Sequence, residues 1–309
     1  MIRPLVILLF ITLNCLICSG QSYKLFTSDH DISSSLVMKV CQDNNGMIWV
    51  ATEDGLNRYD GSKFIVFRNI PGDSTSLASN LVNTINVDSK GRTFIGSYAG
   101  LQLHDPATDT FSPLAKTPDG QTFASAINDL IFRKNGEIIV IGNKVGRIVK
   151  ADNKSIVIEP AFTDHPEIEY VHNGIEDIDG DLWLLKEEMG TYRLDSDNNI
   201  YRYFGRPGDP VLTSITLGRN GVIYAGSMKH GLFQFDKKSD KFIPVNTVNN
   251  DHSFVKELYT DVNGEIYLAT DGRGLKIFNP MSNQISDVKF GNGDLDYHKQ
   301  KVHLSLIHN

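Results

Sequence analysis

The sequence predicts an all-β fold, a β-propeller of four-stranded antiparallel blades, and three recurrences carry that expectation. A glycine returns at Gly46, Gly91, Gly136, Gly180, Gly221 and Gly264, spaced by 45, 45, 44, 41 and 43 residues. Three residues after each stands a large apolar or aromatic residue: Trp49, Phe94, Ile139, Trp183, Tyr224 or Tyr267. Nine or ten residues after each comes a second glycine, at Gly55, Gly100, Gly146, Gly190, Gly231 and Gly274. A period of about 40–45 residues made of short alternating segments is that of a propeller blade. Helix-pair solenoids are excluded by the lack of 3.6-residue periodicity, and a β-helix would need a shorter repeat.

The first unit shows why each segment forms its element. Leu36–Asp43 is β-rich and ends in a D-x-x-G turn, where the Asp carboxylate can accept backbone amides and Gly46 can take a positive φ. Ile48–Ala51 is the second strand, and the loop around Gly55 leads into a third, Leu56–Asp60. Lys63–Arg68 completes the blade. The residue at the Trp49 position should wedge between neighbouring blades, because four strands cannot cover both faces of their own sheet. Asp43, Asp88, Asp177 and Asp261 hold the turn position, while Arg133 and Gly218 replace it in units three and five. At the position of Thr52 stand Ser97, Gly142, Lys186, Ser227 and Thr270, which makes units three and four the most divergent.

The domain plan is one signal and one propeller. Arg3, the apolar run Leu5–Ile17 and the small residues Ser19 and Gly20 predict a signal peptide over 1–20, with Gln21 as the mature start and a periplasmic or secreted location. Residues 21–309 then form the propeller, with blade units near 33–68, 80–115, 125–160, 170–204, 212–245 and 254–290. Residues 301–309 read as the start of a further blade, and Tyr23–Thr27 as a lone strand. The expected architecture is six complete blades plus an incomplete seventh, since propellers close by pairing a terminal strand with the last blade.

The string running from Asp43 through Gly46, Trp49, Gly55 and Leu56 to Asp60 resembles the two-component-regulator propeller repeat, and the likeness extends from about Tyr23 to the end. It is tightest in units one, two and six. The resemblance implies the periplasmic sensor half of a Bacteroidetes hybrid two-component system. Such sensors carry two propellers, an Ig-like domain, a membrane helix and a histidine kinase, and they respond to glycan oligosaccharides. It therefore implies an oligosaccharide ligand and a second propeller or kinase-linked domains as partners, and leaves room for a homodimer. Any kinase activity would lie downstream of this chain.

Composition narrows the partners. The formal net charge is −7 and no Lys/Arg block occurs, which argues against nucleic acid and against adhesion to anionic membrane. No catalytic, cofactor or metal motif is present. Asp177, Asp179, Asp181 and Glu188 mimic the spacing of a calcium loop, but Leu182 stands where the glycine is required. Cys15 and Cys18 leave with the signal, and Cys41 has no partner for a disulfide. A propeller lyase or glycosidase would need acid, base or metal groups at the centre of the ring, and the repeats show no such cluster. A stand-alone interaction scaffold is the other alternative. The ligand-binding candidates lie in the loops between second and third strands, all on one face: Asp54, Tyr98, Lys144, Glu187, His230 and Arg273.

Overall fold

The computed structural model describes residues 26–152, 155–186, 190–204, 206, 208–245 and 254–288. These form six four-stranded antiparallel sheets arranged in a ring. Blade one holds β1 (Val37–Gln42), β2 (Ile48–Thr52), β3 (Gly55–Tyr59) and β4 (Phe64–Phe67), and blade two holds β5 (Val82–Val87), β6 (Thr93–Ser97), β7 (Gly100–Asp105) and β8 (Thr110–Phe111). Blade three comprises β9 (Ile127–Phe132), β10 (Ile138–Gly142), β11 (Gly146–Asp152) and β12 (Ser155–Pro160). Blade four comprises β13 (Val171–Glu176), β14 (Leu182–Lys186), β15 (Gly190–Leu194) and β16 (Ile200–Tyr203). Blades five and six are β17 (Leu212–Leu217) to β20 (Lys241–Pro244), through β18 (Ile223–Ser227) and β19 (Leu232–Asp236), and β21 (Val255–Thr260) to β24 (Gln284–Asp287), through β22 (Ile266–Thr270) and β23 (Leu275–Asn279). The expected fold class and six complete blades are present. The expected signal at 1–20, the strand at 23–25 and the further blade at 301–309 lie outside the described residues.

The first strands of consecutive blades touch around the axis, and the outer strands fan apart. Five apolar cores fill the interfaces between consecutive blades. Trp49, Phe94, Ile139, Trp183 and Tyr224 are buried in them, as the repeat predicts. Tyr267, the sixth wedge, lies on the face turned away from blade five and is only half-buried. Around Trp183 the rings of Phe235 and Phe242 stand edge-on, with centroids at 4.6 and 5.6 Å.

The turn aspartates do more than cap a turn. Asp177 Oδ1 accepts the amides of Asp179 and Asp181 at 2.9 and 3.0 Å. Its Oδ2 accepts the indole N–H of Trp183 at 2.9 Å, so the turn holds the wedge by its one polar atom. Asp43 repeats the arrangement with Trp49, also at 2.9 Å. Where Arg133 and Gly218 replace the aspartate, Asn135 and Asn220 supply the side-chain oxygen, to the amides of Glu137 and Val222 at 2.9 and 3.1 Å. Arg133 is thereby released to bridge blades, its Nε donating to Glu176 at 2.9 Å. The divergence of those units is thus a relocation of the cap. Both carboxylate oxygens of Asp177 are engaged by protein donors, and Asp179 pairs with Lys237 at 2.5 Å, which leaves no calcium ligand set there.

A second stitching runs around the axis. In each blade a register shift interrupts the pairing of the first two strands near its start. The bulged side chain reaches the next blade: Asn83 Nδ2 donates to the carbonyl of Ile127 (3.0 Å), Asn128 Nδ2 to Val171 (2.9 Å), and His172 Nε2 to Thr213 (3.1 Å). Thr213 Oγ1 does the same to Val255. Blade one has Met38 at this place, which packs into the apolar core instead.

Asp177→Ala should lower stability by about 2–4 kcal/mol, because the buried Trp183 N–H and two amides lose their acceptor. Asp261→Ala should cost about half as much, since Tyr267 carries no indole to anchor. Urea unfolding of both variants checks this, and equal losses would remove the indole anchor from the account.

Candidate functional site

Two sets of loops crown one face of the ring: the turns between second and third strands, and the connections between blades. Backbone bonds draw each such turn inward. The residue after the second strand donates to the residue just before the first strand of its blade: Glu53 to Leu36 (3.3 Å), Tyr98 to Leu81 (3.1 Å), Asn143 to Ala126 (3.2 Å), Met228 to Val211 (3.0 Å) and Asp271 to Phe254 (2.9 Å). The turns therefore stand beside the mouth of the axial channel. At several places the side chains there are apolar and exposed. Tyr98 and Tyr170 are 67% and 61% exposed, and Leu36, Leu81 and Met228 join them. Tyr170 holds a left-handed backbone, φ 56°, with its amide bonded to the Asn143 carbonyl at 3.1 Å. Exposed rings beside polar turns suit the apolar face of a sugar ring.

The described sequence-derived candidates, Asp54, Tyr98, Lys144, His230 and Arg273, sit in these turns, one to a blade. Tyr98 is the open aromatic of the set. Asp54 is occupied by Arg68 of its own blade, at 2.9 Å. Lys144, His230 and Arg273 are exposed, and the amides of Lys144 and His230 are anchored by Ser125 and Ser227 hydroxyls at 3.0 and 2.9 Å. Glu187 lies outside the described residues. The ring brings these residues to one face but distributes them around it, and does not gather them into one pocket.

The expectation of no acid–base cluster at the centre of the ring is overturned. The register places Lys39, Thr84, Asp129, Asn173, Ser214 and Glu257 at equivalent positions of the six axial strands, opposite Ala51, Gly96, Ile141, Leu185, Gly226 and Ala269. Lys39 Nζ meets Asp129 Oδ1 at 2.6 Å and Asn86 Oδ1 at 3.1 Å. Asp129 Oδ1 also accepts from Thr84 and Asn86, at 2.9 and 3.0 Å. Burial alone would push the Asp129 carboxyl up, but the Lys39 ammonium and these donors hold it below its ordinary value. Glu257 lacks such support. Burial pushes it up to about 8, with Lys39 opposing and Asp129 adding to the rise. Lys39 and Asp129 stand 90 residues apart in the chain, so no local motif announces the cluster.

A second hollow unforeseen from the sequence lies between blades four and five, walled by the rings of Tyr203, Phe204 and Phe242. It holds about 410 Å³ and is lined by Arg202, Tyr203, Phe204, Arg206, Asp209, Lys241 and Phe242. Among the described residues no group of three or more His, Cys, Asp or Glu is arranged to hold a metal.

Comparison with known proteins follows the geometry. Residues 31–54 match the family described as Two component regulator propeller. A stretch of 60 residues is 45% identical to Histidine kinase P4 of Formosa agariphila, covering 19% of this chain and 4% of that protein. An extracellular domain assigned to a hybrid two component system of B. thetaiotaomicron superposes with a TM-score of 0.75 at 21% identity, over 89% of this chain and 38% of the other. A second such domain gives 0.70 at 14% identity, over 88% and 39%. Virginiamycin B lyase from Staphylococcus aureus gives 0.61 at 12% identity, over 87% and 88%. At these identities the structural likeness speaks for the fold alone, which sensors and a lyase share. The unit in blade one is a two component regulator propeller repeat. This chain spans about two fifths of the length of the two-component domains it superposes on.

The raised Glu257 has a consequence in solution. The group is silent below about pH 4.5, its ordinary value, because both folded and unfolded forms are protonated. From there up to about 8 the folded protein keeps a proton that the unfolded chain sheds, so stability falls as pH rises through that window. Glu257→Gln should flatten this fall and raise the melting temperature at pH 8. Melting curves between pH 5 and 9 test it, and an unchanged slope would contradict an enclosed, protonated carboxyl.

Proposed function

We propose that this chain is the non-catalytic ligand-sensing propeller of a two-component signalling receptor, exported to the periplasm behind a cleaved signal at 1–20. The repeat match over 31–54 carries the reading. Its ligand is a glycan oligosaccharide, held on the turn face where Tyr98 and Tyr170 offer open rings and Lys144, His230 and Arg273 offer polar contacts around the channel mouth. A rigid ring suits this work, because side chains on its turns can vary without cost to the blade cores. In this reading, partners further along the receptor are a second propeller and kinase-linked domains, and a homodimer is a natural signalling state.

One observation favours a lyase instead: an acid–base cluster at the axis of a fold that a lyase shares. Its chemistry supplies an acid in the protonated Glu257 but no base to pair with it. The Lys39 ammonium is already committed to Asp129 and Asn86, so it is no free base, and Asp129 is held ionised by four donors that include the Leu130 amide at 2.8 Å.

Melting-temperature shifts across a panel of glycan oligosaccharides test the proposal. At about a hundred times Kd a true ligand should raise the melting temperature by several degrees, and Tyr98→Ala should remove most of that rise. No shift with any oligosaccharide, or turnover of one, would overturn the reading.

A further inference from the structure

The connections between blades are of unequal length. Those entering and leaving blade two run over 68–81 and 112–126, 14 and 15 residues against 8 to 10 in the other three. Long ordered connections on a rigid ring are where binding function is carried. Both are docked along their course. The Phe111 amide donates to the Thr75 carbonyl at 2.8 Å. The Lys116 amide donates to the Ile156 carbonyl at 2.9 Å, and Ile158 returns a bond to the Lys116 carbonyl at 2.8 Å, so the second connection pairs with β12 of blade three.

One buried side chain ties the two connections together. Gln102 of β7, 2% exposed, accepts the Ala78 amide through Oε1 at 2.8 Å. Its Nε2 donates to the carbonyls of Ser76 and Ser112 at 3.3 and 2.8 Å. In blades four and five the same register position holds the rings of Tyr192 and Phe233. A buried amide here thus finds its partners in the two connections, and walls fixed in advance cost no ordering when a ligand arrives.

Between them the connections leave a hollow of about 480 Å³, within the size of small-ligand sites. Ile70, 57% exposed, and Leu114 line it with apolar surface. Ser74, Lys116 and Thr122 line it with exposed side chains that make no hydrogen bond or ion pair among the described residues. Asn69 Nδ2 donates to the Leu77 carbonyl at 2.6 Å, which leaves its Oδ1 as an acceptor. The charges of the lining balance, Lys116 against Asp73, and Asp73 Oδ1 already accepts the Thr75 amide at 2.8 Å. Polar groups beside apolar side chains, without excess charge, match an uncharged sugar. The hollow also adjoins the turn of Tyr98. Leu114 packs against Gly100, two residues further on, where a Cβ would stand 3.0 Å from Leu114 Cδ2.

We propose that this hollow over blade two is the seat of the sensed oligosaccharide: it takes one end of a neutral chain, and the sugar beyond it stacks on Tyr98. Ile70 and Leu114 cover the apolar face of the end ring, and Asn69, Ser74, Lys116 and Thr122 bond its hydroxyls. This inference rests on the oligosaccharide-sensing reading and names the charge of the ligand and its place.

Calorimetry on the intact chain tests it with neutral hexasaccharides of glucose, mannose, xylose and galactose, the matching disaccharides, and a uronate hexasaccharide. One neutral hexasaccharide should bind at least about tenfold more tightly than its disaccharide, because only the longer chain reaches both ring and hollow. Its affinity should not change with salt. Ser74→Trp fills the hollow, and Lys116→Ala combined with Thr122→Ala strips two of its polar groups. Each variant should weaken that hexasaccharide about tenfold with the melting temperature of the free protein unchanged, since all three side chains are exposed. Equal affinity for disaccharide and hexasaccharide, or tighter, salt-sensitive binding of the uronate, would overturn the assignment. If a hexasaccharide binds and Tyr98→Ala weakens it while both hollow variants leave it unaltered, the hollow fails and the sensing reading stands. If no saccharide binds in any arm, both fall.

Discussion

No blade of this protein can bury both faces of its own sheet, and everything else in the structure follows from that constraint. Four strands bury one face against the preceding blade and the other against the following one. The wedge residues satisfy this requirement at five interfaces, and the two tryptophans do so with a polar atom that must itself be satisfied. The turn aspartate accepts that indole N–H, which ties the tightest turn of the blade to its deepest side chain. Turn, strand and interface are therefore one cooperative unit, repeated with small changes of chemistry.

The same constraint creates the functional surfaces. Stacking blades face to face gathers six first strands around one axis, so equivalent positions from six units meet in a channel. Polar residues there bond with partners one or two blades away, as Lys39 does with Asp129. Lys39 and Asp129 keep 27% and 23% of their side-chain surface open there. Stacking also raises every second turn on one face, where its tip is released from packing duty. Chemistry can vary at those tips while the cores remain, and the open rings of Tyr98 and Tyr170 are the result.

Much of this was legible in the order of residues. The turn glycines, the wedges and the strand alternation all report on contacts within about ten residues, where spacing is enough. The face that carries Tyr98, Lys144, His230 and Arg273 was also legible, because antiparallel strands alternate their turns between two faces. The roles of Arg133 and Gly218 were not. They read as drift, whereas Asn135 and Asn220 take over the cap two residues later and Arg133 turns to Glu176 of the next blade. Lys186 likewise read as one more divergent residue, whereas its ammonium is held between the Glu167 carbonyl and the Tyr192 ring.

By itself the sequence determined the blade: its length, its four strands, its turns and the side chain that fills each interface, all of them consequences of local periodicity and backbone conformation. Tertiary structure decided what the blades make together. The bulge side chains that stitch one blade to the next, the Lys39–Asp129–Glu257 cluster and the aromatic hollow between blades four and five join residues from different repeats. Their meeting depends on how sheets stack around an axis, and that geometry leaves no trace in the spacing of residues along the chain.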